Sequence, residues 1–455
     1  MEKENAKKLL YQSEYAFKNQ NAAEAEAFCK DYRDYMDASK TERDAVRNAV
    51  AIAEKAGFAP YEPGKKLVPG QKIYFVNRVK SLMLAVVGSK PVEEGFRIIA
   101  SHIDSPRLDL KATPLYESNG LGYFKTHYYG GIKKYQWSAL PLSLHGVVYR
   151  KDGSHVDVSF GENEDEPVLY ISDLMPHIAK DQVSKPGSDV LSGETLNLIN
   201  GSLPFDEEEG VKLNVLSILN EKYGIEERDF MTAELSAVPA LKSREIGFDR
   251  SMIGAYGQDD KVCAFPALRA LTEFGTPEHT CVVFLADKEE IGSEGVTGLR
   301  CEAYAAFMKD ICADTGACER KAFRNSICIS ADVGGAYDPS FADAYDVSNS
   351  CFIGKGVVVC KYTGSRGKGG CSDATAELLS KVTRMLDADG VAWQTGEYGK
   401  VDQGGAGTVA CDIAKFGIDV VDIGVPLLSM HSPVELASKA DVYAMLQCCR
   451  AFYKN

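Results

Sequence analysis

Thr280-Cys-Val-Val-Phe-Leu-Ala286 runs without a charge into Asp287-Lys288-Glu289-Glu290-Ile291-Gly292. A short apolar, β-branched run that ends in an acidic turn reads as a strand buried on both faces, as in parallel sheets. Similar runs recur at Ser326–Ala331, Val357–Tyr362 and Ile418–Ile423, with helix-period patterns between them and a last one over Lys439–Phe452. Upstream, Lys72–Val76, Leu82–Val87 and Phe96–Ala100 read the same way. This alternation predicts an α/β fold, a three-layer αβα domain around a mostly parallel sheet.

Residues 2–57 are rich in Ala, Glu and Lys, with Val46, Ala49, Val50 and Ala53 at helical spacing and Gly57 as a stop. From about 107 to 244 the character changes: β-type runs such as Gly146–Arg150 and Val156–Phe160 alternate with turns. Residues 179–210 read as an exposed loop, with the acidic run Glu207–Glu209 on a solvated face. Residues 1–106 and 245–455 are therefore expected to build the α/β domain, with 107–244 inserted as a β-rich second domain.

A chain of 455 residues that is 45% hydrophobic and 25% charged has ample material for a large core, which excludes a disordered or fibrous protein. Its formal charge of −14 argues against a nucleic-acid partner, because phosphate contacts need clustered cations. Thirteen cysteines cannot all pair, and none form C-x-x-C, so free thiols in a reducing cytoplasm are expected. The start MEKENAKKLLYQ has no apolar signal core, and no apolar run approaches the ~18 residues of a membrane span.

Potential metal ligands cluster just beyond the expected strand ends. His102 and Asp104 follow Phe96–Ala100, Glu289 and Glu290 follow Thr280–Ala286, Asp332 closes Ser326–Ala331, and His431 follows the segment ending at Ile423. Asp259 stands at the expected start of a helix. Singly, each has a structural explanation: a core histidine, a helix N-cap, a solvated acidic pair. Together they fall where open α/β sheets bind ligands. Carboxylates so close cannot all ionise without cations. Two divalent ions sharing a bridging carboxylate would balance them. Histidine and carboxylate donors suit zinc, and also cobalt or manganese.

The ordered set Ser101-His102-Ile103-Asp104-Ser105-Pro106, Tyr129-Gly130-Gly131, Gln258-Asp259-Asp260, Asp287–Ser293, Ser330-Ala331-Asp332 and Met430-His431-Ser432 resembles the aspartyl aminopeptidase family, which also includes vacuolar aminopeptidase I. The resemblance implies that Asp259 bridges two ions. His102 and Asp332 would complete one ligand set, Glu290 and His431 the other. Glu289 would be the general base of a metal-assisted peptide hydrolysis, and Asp104 would orient His102. The insert would be a dimerisation domain lending His177 to a neighbouring active site, to bind the substrate carbonyl or stabilise the oxyanion. The assembly implied is a dodecamer built from dimers.

In acid-preferring members a strand lysine meets the substrate carboxylate, and Lys361 holds a similar place. The Gly-rich, basic loop Gly364–Gly370 after it differs from the usual one, and Val333–Pro339 lacks histidines that aspartyl members carry there. Three further readings stay open on the residues alone. They are an aminopeptidase for neutral or apolar first residues, a dinuclear amidohydrolase of N-acyl compounds, and an inactive assembly protein.

Overall fold

In the computed structural model the structure describes residues 5, 7, 9–11 and 13–455. The part of the helical expectation for 2–57 that falls on residues 2–4, 6, 8 and 12 lies outside the described residues. The rest forms two helices, Ala22–Ala38 and Glu42–Lys55, and the second opens with a reciprocal Thr41–Asp44 capping box.

Among the described residues the main sheet has nine strands, in the order Ala59–Pro60, Lys72–Asn77, Ser81–Val86, Cys281–Ala286, Arg97–His102, Ile327–Ser330, Asp419–Gly424, Val357–Cys360 and Trp393–Thr395. Its centre, from Cys281–Ala286 to Asp419–Gly424, is parallel throughout. Alternation explains why these strands read as continuous apolar runs. Leu82, Leu84 and Val86 face one core cluster, while Met83 and Ala85 face the other. The first cluster is covered by the two N-terminal helices with Gln258–Glu273, Ala376–Ala388 and Lys439–Lys454, and the second by Ala303–Thr315, Glu319–Asn325 and Ala410–Ala414. Each fully buried Leu, Val or Phe contributes about 1.5–3 kcal/mol, so both layers hold the sheet. The expected three-layer α/β architecture is present.

A second sheet is made wholly from strands between Arg107 and Pro239. Six of its strands close into a barrel, because Ala233–Pro239 pairs with both Arg107–Ser118 and Pro141–Tyr149. The exposed-loop expectation for 179–210 needs correcting at Leu198–Gly201, a barrel strand paired with Leu121–Tyr129. Leu196 and Leu198 are fully buried, and their alternation is masked in the sequence by the Asn and Gly around them. A third sheet, of five strands, includes Met252–Ala255, Glu435–Ser438, Pro426–Leu428 and Gly334–Gly335. It ties together the segments that carry Asp259, His431 and Asp332. Among the described residues no helix is long and apolar enough to cross a membrane.

Candidate active site

Parallel pairing sets the site. Ala286 lies opposite His102 and Ser330 opposite Ala100, so the chain leaves three neighbouring strands at one edge. Beyond Ala286, Lys288 takes a left-handed conformation (φ +69°) and starts the single 3-10 turn Glu289–Ile291. Asp332 follows Ile327–Ser330 by two residues. Asp259 stands in the first turn of Gln258–Glu273, just after Gly257 at φ +71°. A Cβ on Gly257 would meet Lys261 Nζ at 2.6 Å and Ser105 Oγ at 2.8 Å, so only glycine fits this entry.

These residues form two groups that share one carboxylate. Ligand atoms of His102, Asp259 and Asp332 lie within 4.8 Å of one another, and so do those of Asp259, Glu290 and His431. Asp259 is divided between the imidazoles: Oδ1 lies 3.1 Å from His102 Nε2, and Oδ2 lies 3.1 Å from His431 Nε2. His102 keeps Nε2 free for this because Nδ1–H donates to the Asp104 carbonyl at 3.0 Å, with Asp104 Oδ1 at 3.3 Å. Asp332 Oδ1 is 3.9 Å from His102 Nε2, and Glu290 Oε2 is 3.5 Å from His431 Nε2. Glu289 Oε2 reaches to 4.0 Å from His102 Nε2. Asp104 also accepts the backbone N–H groups of Glu289 and Glu290, each at 3.2 Å, and so holds the turn that carries both glutamates.

Among the described residues no lysine or arginine pairs with Asp259, Asp332, Glu289 or Glu290. Burial would lower the His102 imidazole, but its bonds to Asp104 and Asp259 raise it well above the ordinary histidine range. His431 is lifted to about 10, burial again opposing and Asp259 prevailing. Burial pushes Asp259 up, but the two imidazoles outweigh it and hold the carboxyl below the usual range. Glu289, Glu290 and Asp332 are raised, by burial first and by neighbouring carboxylates second. Glu290 Oε1 is buried with no hydrogen-bond partner. Such a cluster must otherwise take up protons. Two divalent ions would replace them, and their charge cancels that of the four carboxylates. The donor set therefore fits a metal pair.

One further carboxylate organises the site. Glu435, almost fully buried, accepts the Asp259 N–H at 3.0 Å with one oxygen and the His431 N–H at 2.7 Å with the other. Burial and Asp259 push it up to about 7. In the sequence it is an acid four residues past His431 at the start of a strand, with no motif to mark it.

The profile of the family described as Aminopeptidase I zinc metalloprotease (M18) matches residues 35–453. This chain belongs to the M18 aminopeptidase family. A probable M18 family aminopeptidase 1 of Clostridium acetobutylicum is 46% identical over 435 residues, 93% of this chain and 94% of that one. The crystal structure of an M18 aminopeptidase from Thermotoga maritima superposes with a TM-score of 0.93 at 42% identity, covering 98% of this chain and all of that one. A structure of the yeast mApe1 dodecamer has the same fold, with a TM-score of 0.76, 20% identity and coverage of 94% of this chain and 96% of that one. The protein is thus a metallo-aminopeptidase of the M18 family, which decides against the N-acyl amidohydrolase and the inactive-scaffold readings.

Two expected residues stand apart from the cluster within one chain. His177 lies in the exposed 3-10 turn Pro176–Ile178 of the inserted segment, among exposed Leu174, Met175 and Ile178. Lys361 is exposed and makes no ion pair among the described residues. It follows Cys360, which pairs with Asp422 and stands level with Ala100; this strand runs antiparallel to Asp419–Gly424, so at Lys361 the chain leads away from the edge that carries His102. Beyond it, Arg366, Lys368 and Lys400 line a cavity of about 220 Å³ with Tyr398, whose hydroxyl donates to the Val333 carbonyl next to Asp332.

Proposed function

We propose that this M18 enzyme is a dinuclear aminopeptidase that removes the first residue of peptides. The sharing of Asp259 between two ligand groups carries this reading. His102 and Asp332 would hold one ion with Asp259, and Glu290 and His431 the other. The donors suit zinc, with cobalt or manganese as chemical equivalents. When bound, such ions polarise the scissile carbonyl and the attacking water. Glu289 then accepts a proton from that water and returns it to the leaving amine. Its side chain is 20% exposed against 4% for Glu290, which supports a base open to substrate beside a ligand that is not. Asp104 keeps the His102 ring turned and the glutamate turn in place.

Acidic first residues are the proposed preference, with Lys361 as the cation that meets them. Support comes from its charge, unpaired among the described residues, and from the cavity that follows it in the chain, where Arg366, Lys368 and Lys400 outnumber Glu397. Residues 107–244 are proposed as an inserted dimerisation domain, because every strand in its barrel pairs only within it. Its exposed apolar loop would bring His177 to a neighbouring subunit's site, in a dodecamer like that of the yeast relative. The thirteen cysteines, without paired spacing, support a cytoplasmic setting.

The test is a panel of aminoacyl anilides and N-acyl amino acids, read with and without added zinc, cobalt or manganese, on an enzyme whose metal content is measured. Two ions per chain with aspartyl or glutamyl anilide as best substrate are expected. One ion, or a leucyl preference, would sink the corresponding part. Mixed subunits of His177→Phe and Glu289→Gln should regain activity if His177 acts across an interface, and gain none if it does not.

A further inference from the structure

The end of the barrel strand Leu121–Tyr129 enters the metal site from the inserted segment. The Tyr129 hydroxyl donates to Asp104 Oδ2 at 2.8 Å. That same carboxylate accepts the backbone N–H groups of Glu289 and Glu290 and faces the His102 ring. Two residues on, the Gly131 carbonyl accepts Nδ1–H of His431 at 2.8 Å. Between them Gly130, at φ +76°, lies so close to Glu290 that a Cβ would meet Glu290 Oε2 at 3.2 Å and Glu290 Cβ at 3.3 Å. Three consecutive residues thus touch the supports of both ligand groups.

The Tyr129 ring is itself held. It is 8% exposed, and the Arg107 guanidinium lies 4.3 Å from its centroid. Arg107 is pinned in turn to Glu42 at 2.5 Å and Asp109 at 2.8 Å. The phenol is therefore offered to Asp104 in one orientation, with little rotamer freedom left to lose.

We infer that Tyr129, Gly130 and Gly131 form a positioning strap by which the inserted segment sets the geometry of both metal half-sites. Tyr129 acts through Asp104 on His102 and on the glutamate turn. Gly131 fixes the tautomer and tilt of His431, and Gly130 allows the approach. Groups that orient metal ligands typically change metal affinity or activity by about 10–100-fold when removed. The strap makes seating of the barrel a condition for a well-formed metal centre. This inference rests on the dinuclear reading above.

Tyr129→Phe removes one oxygen and leaves the ring. Zinc affinity, measured by competition with a chromophoric chelator, should fall about 10–100-fold. kcat should fall with it while KM stays within about two-fold, and the absorption bands of cobalt-loaded protein should shift. The melting midpoint of metal-stripped protein should fall only by what the loss of one buried hydrogen bond allows. Combined with Asp104→Asn, Tyr129→Phe should add nothing, because it acts through that carboxylate. Gly130→Ala should lower zinc affinity independently by crowding Glu290, and it serves if Tyr129→Phe does not fold. Wild-type affinity and cobalt spectrum in both variants would overturn the strap alone, as would full additivity with Asp104→Asn. A wild-type chain that takes up no divalent ion would overturn the dinuclear reading and the strap together.

Discussion

Glu289 and Glu290 are chain neighbours whose carboxylates point to different histidines. Glu289 Oε2 lies 4.0 Å from His102 Nε2, and Glu290 Oε2 lies 3.5 Å from His431 Nε2. The 3-10 turn they share rotates successive side chains by about a third of a turn, so two adjacent acids take two tasks.

Their separation predicts different failures. Glu289→Gln keeps the shape but cannot take a proton, and should cost about 10²–10⁴ in kcat with metal content unchanged. Glu290→Gln should lose bound metal first. Full activity of Glu289→Gln, measured on a slow anilide substrate, removes Glu289 from the base role.

Glu435 binds the backbone of Asp259 and His431 at once. Glu435→Gln leaves one acceptor and turns an NH₂ onto the other backbone N–H. The unmet N–H should destabilise the protein by about 1–3 kcal/mol and weaken metal retention. Thermal melting and chelator competition read the two effects. Wild-type values in both would reduce Glu435 to a spectator.

Chelation should make stability fall as pH rises. In the metal-free cluster Glu289, Glu290 and Asp332 sit above their ordinary values, chiefly through burial. Folding therefore favours their protonated forms, and that stabilisation is lost as pH climbs from the unfolded carboxylate range through the raised folded values. His102 and His431 are raised as well, so their contribution also fades with rising pH. Zinc-loaded protein should show a shallower slope, since ions that bind only the folded form take the place of the cluster's protons, while buried Asp422 and Asp441, raised to about 6 and about 7, keep their share of it. Melting midpoints from about pH 5 to 8, with and without chelator, give the comparison. Parallel curves would argue against metal at these residues.

Lys361→Met keeps most of the stem and removes the charge. A charge-assisted hydrogen bond is worth about 1.5–3 kcal/mol, so kcat/KM for aspartyl or glutamyl anilide should drop roughly 10–150-fold. Leucyl anilide should hardly change. An equal loss on all substrates, or no loss, moves the role to Arg366, Lys368 or Lys400 in the cavity beyond it.

The sequence by itself determined the α/β core and named the acids and histidines that the fold gathers at one sheet edge. Strands buried on both faces, such as Cys281–Ala286, must be uninterrupted apolar runs, so their chemistry announces them. Side chains at their carboxyl ends then fall in one place, because parallel pairing aligns those ends. Tertiary structure alone decided the barrel, since Ala233–Pro239 closes it by pairing with strands about a hundred residues away, and no local pattern encodes that register. It alone supplied Glu435, whose role lies in two backbone N–H groups brought together by a third sheet. It also supplied the contact of Tyr129 with Asp104. Local periodicity reflects which face of an element is buried. Which buried polar atoms meet depends on how separate elements pack, and that is written in no single stretch of the chain.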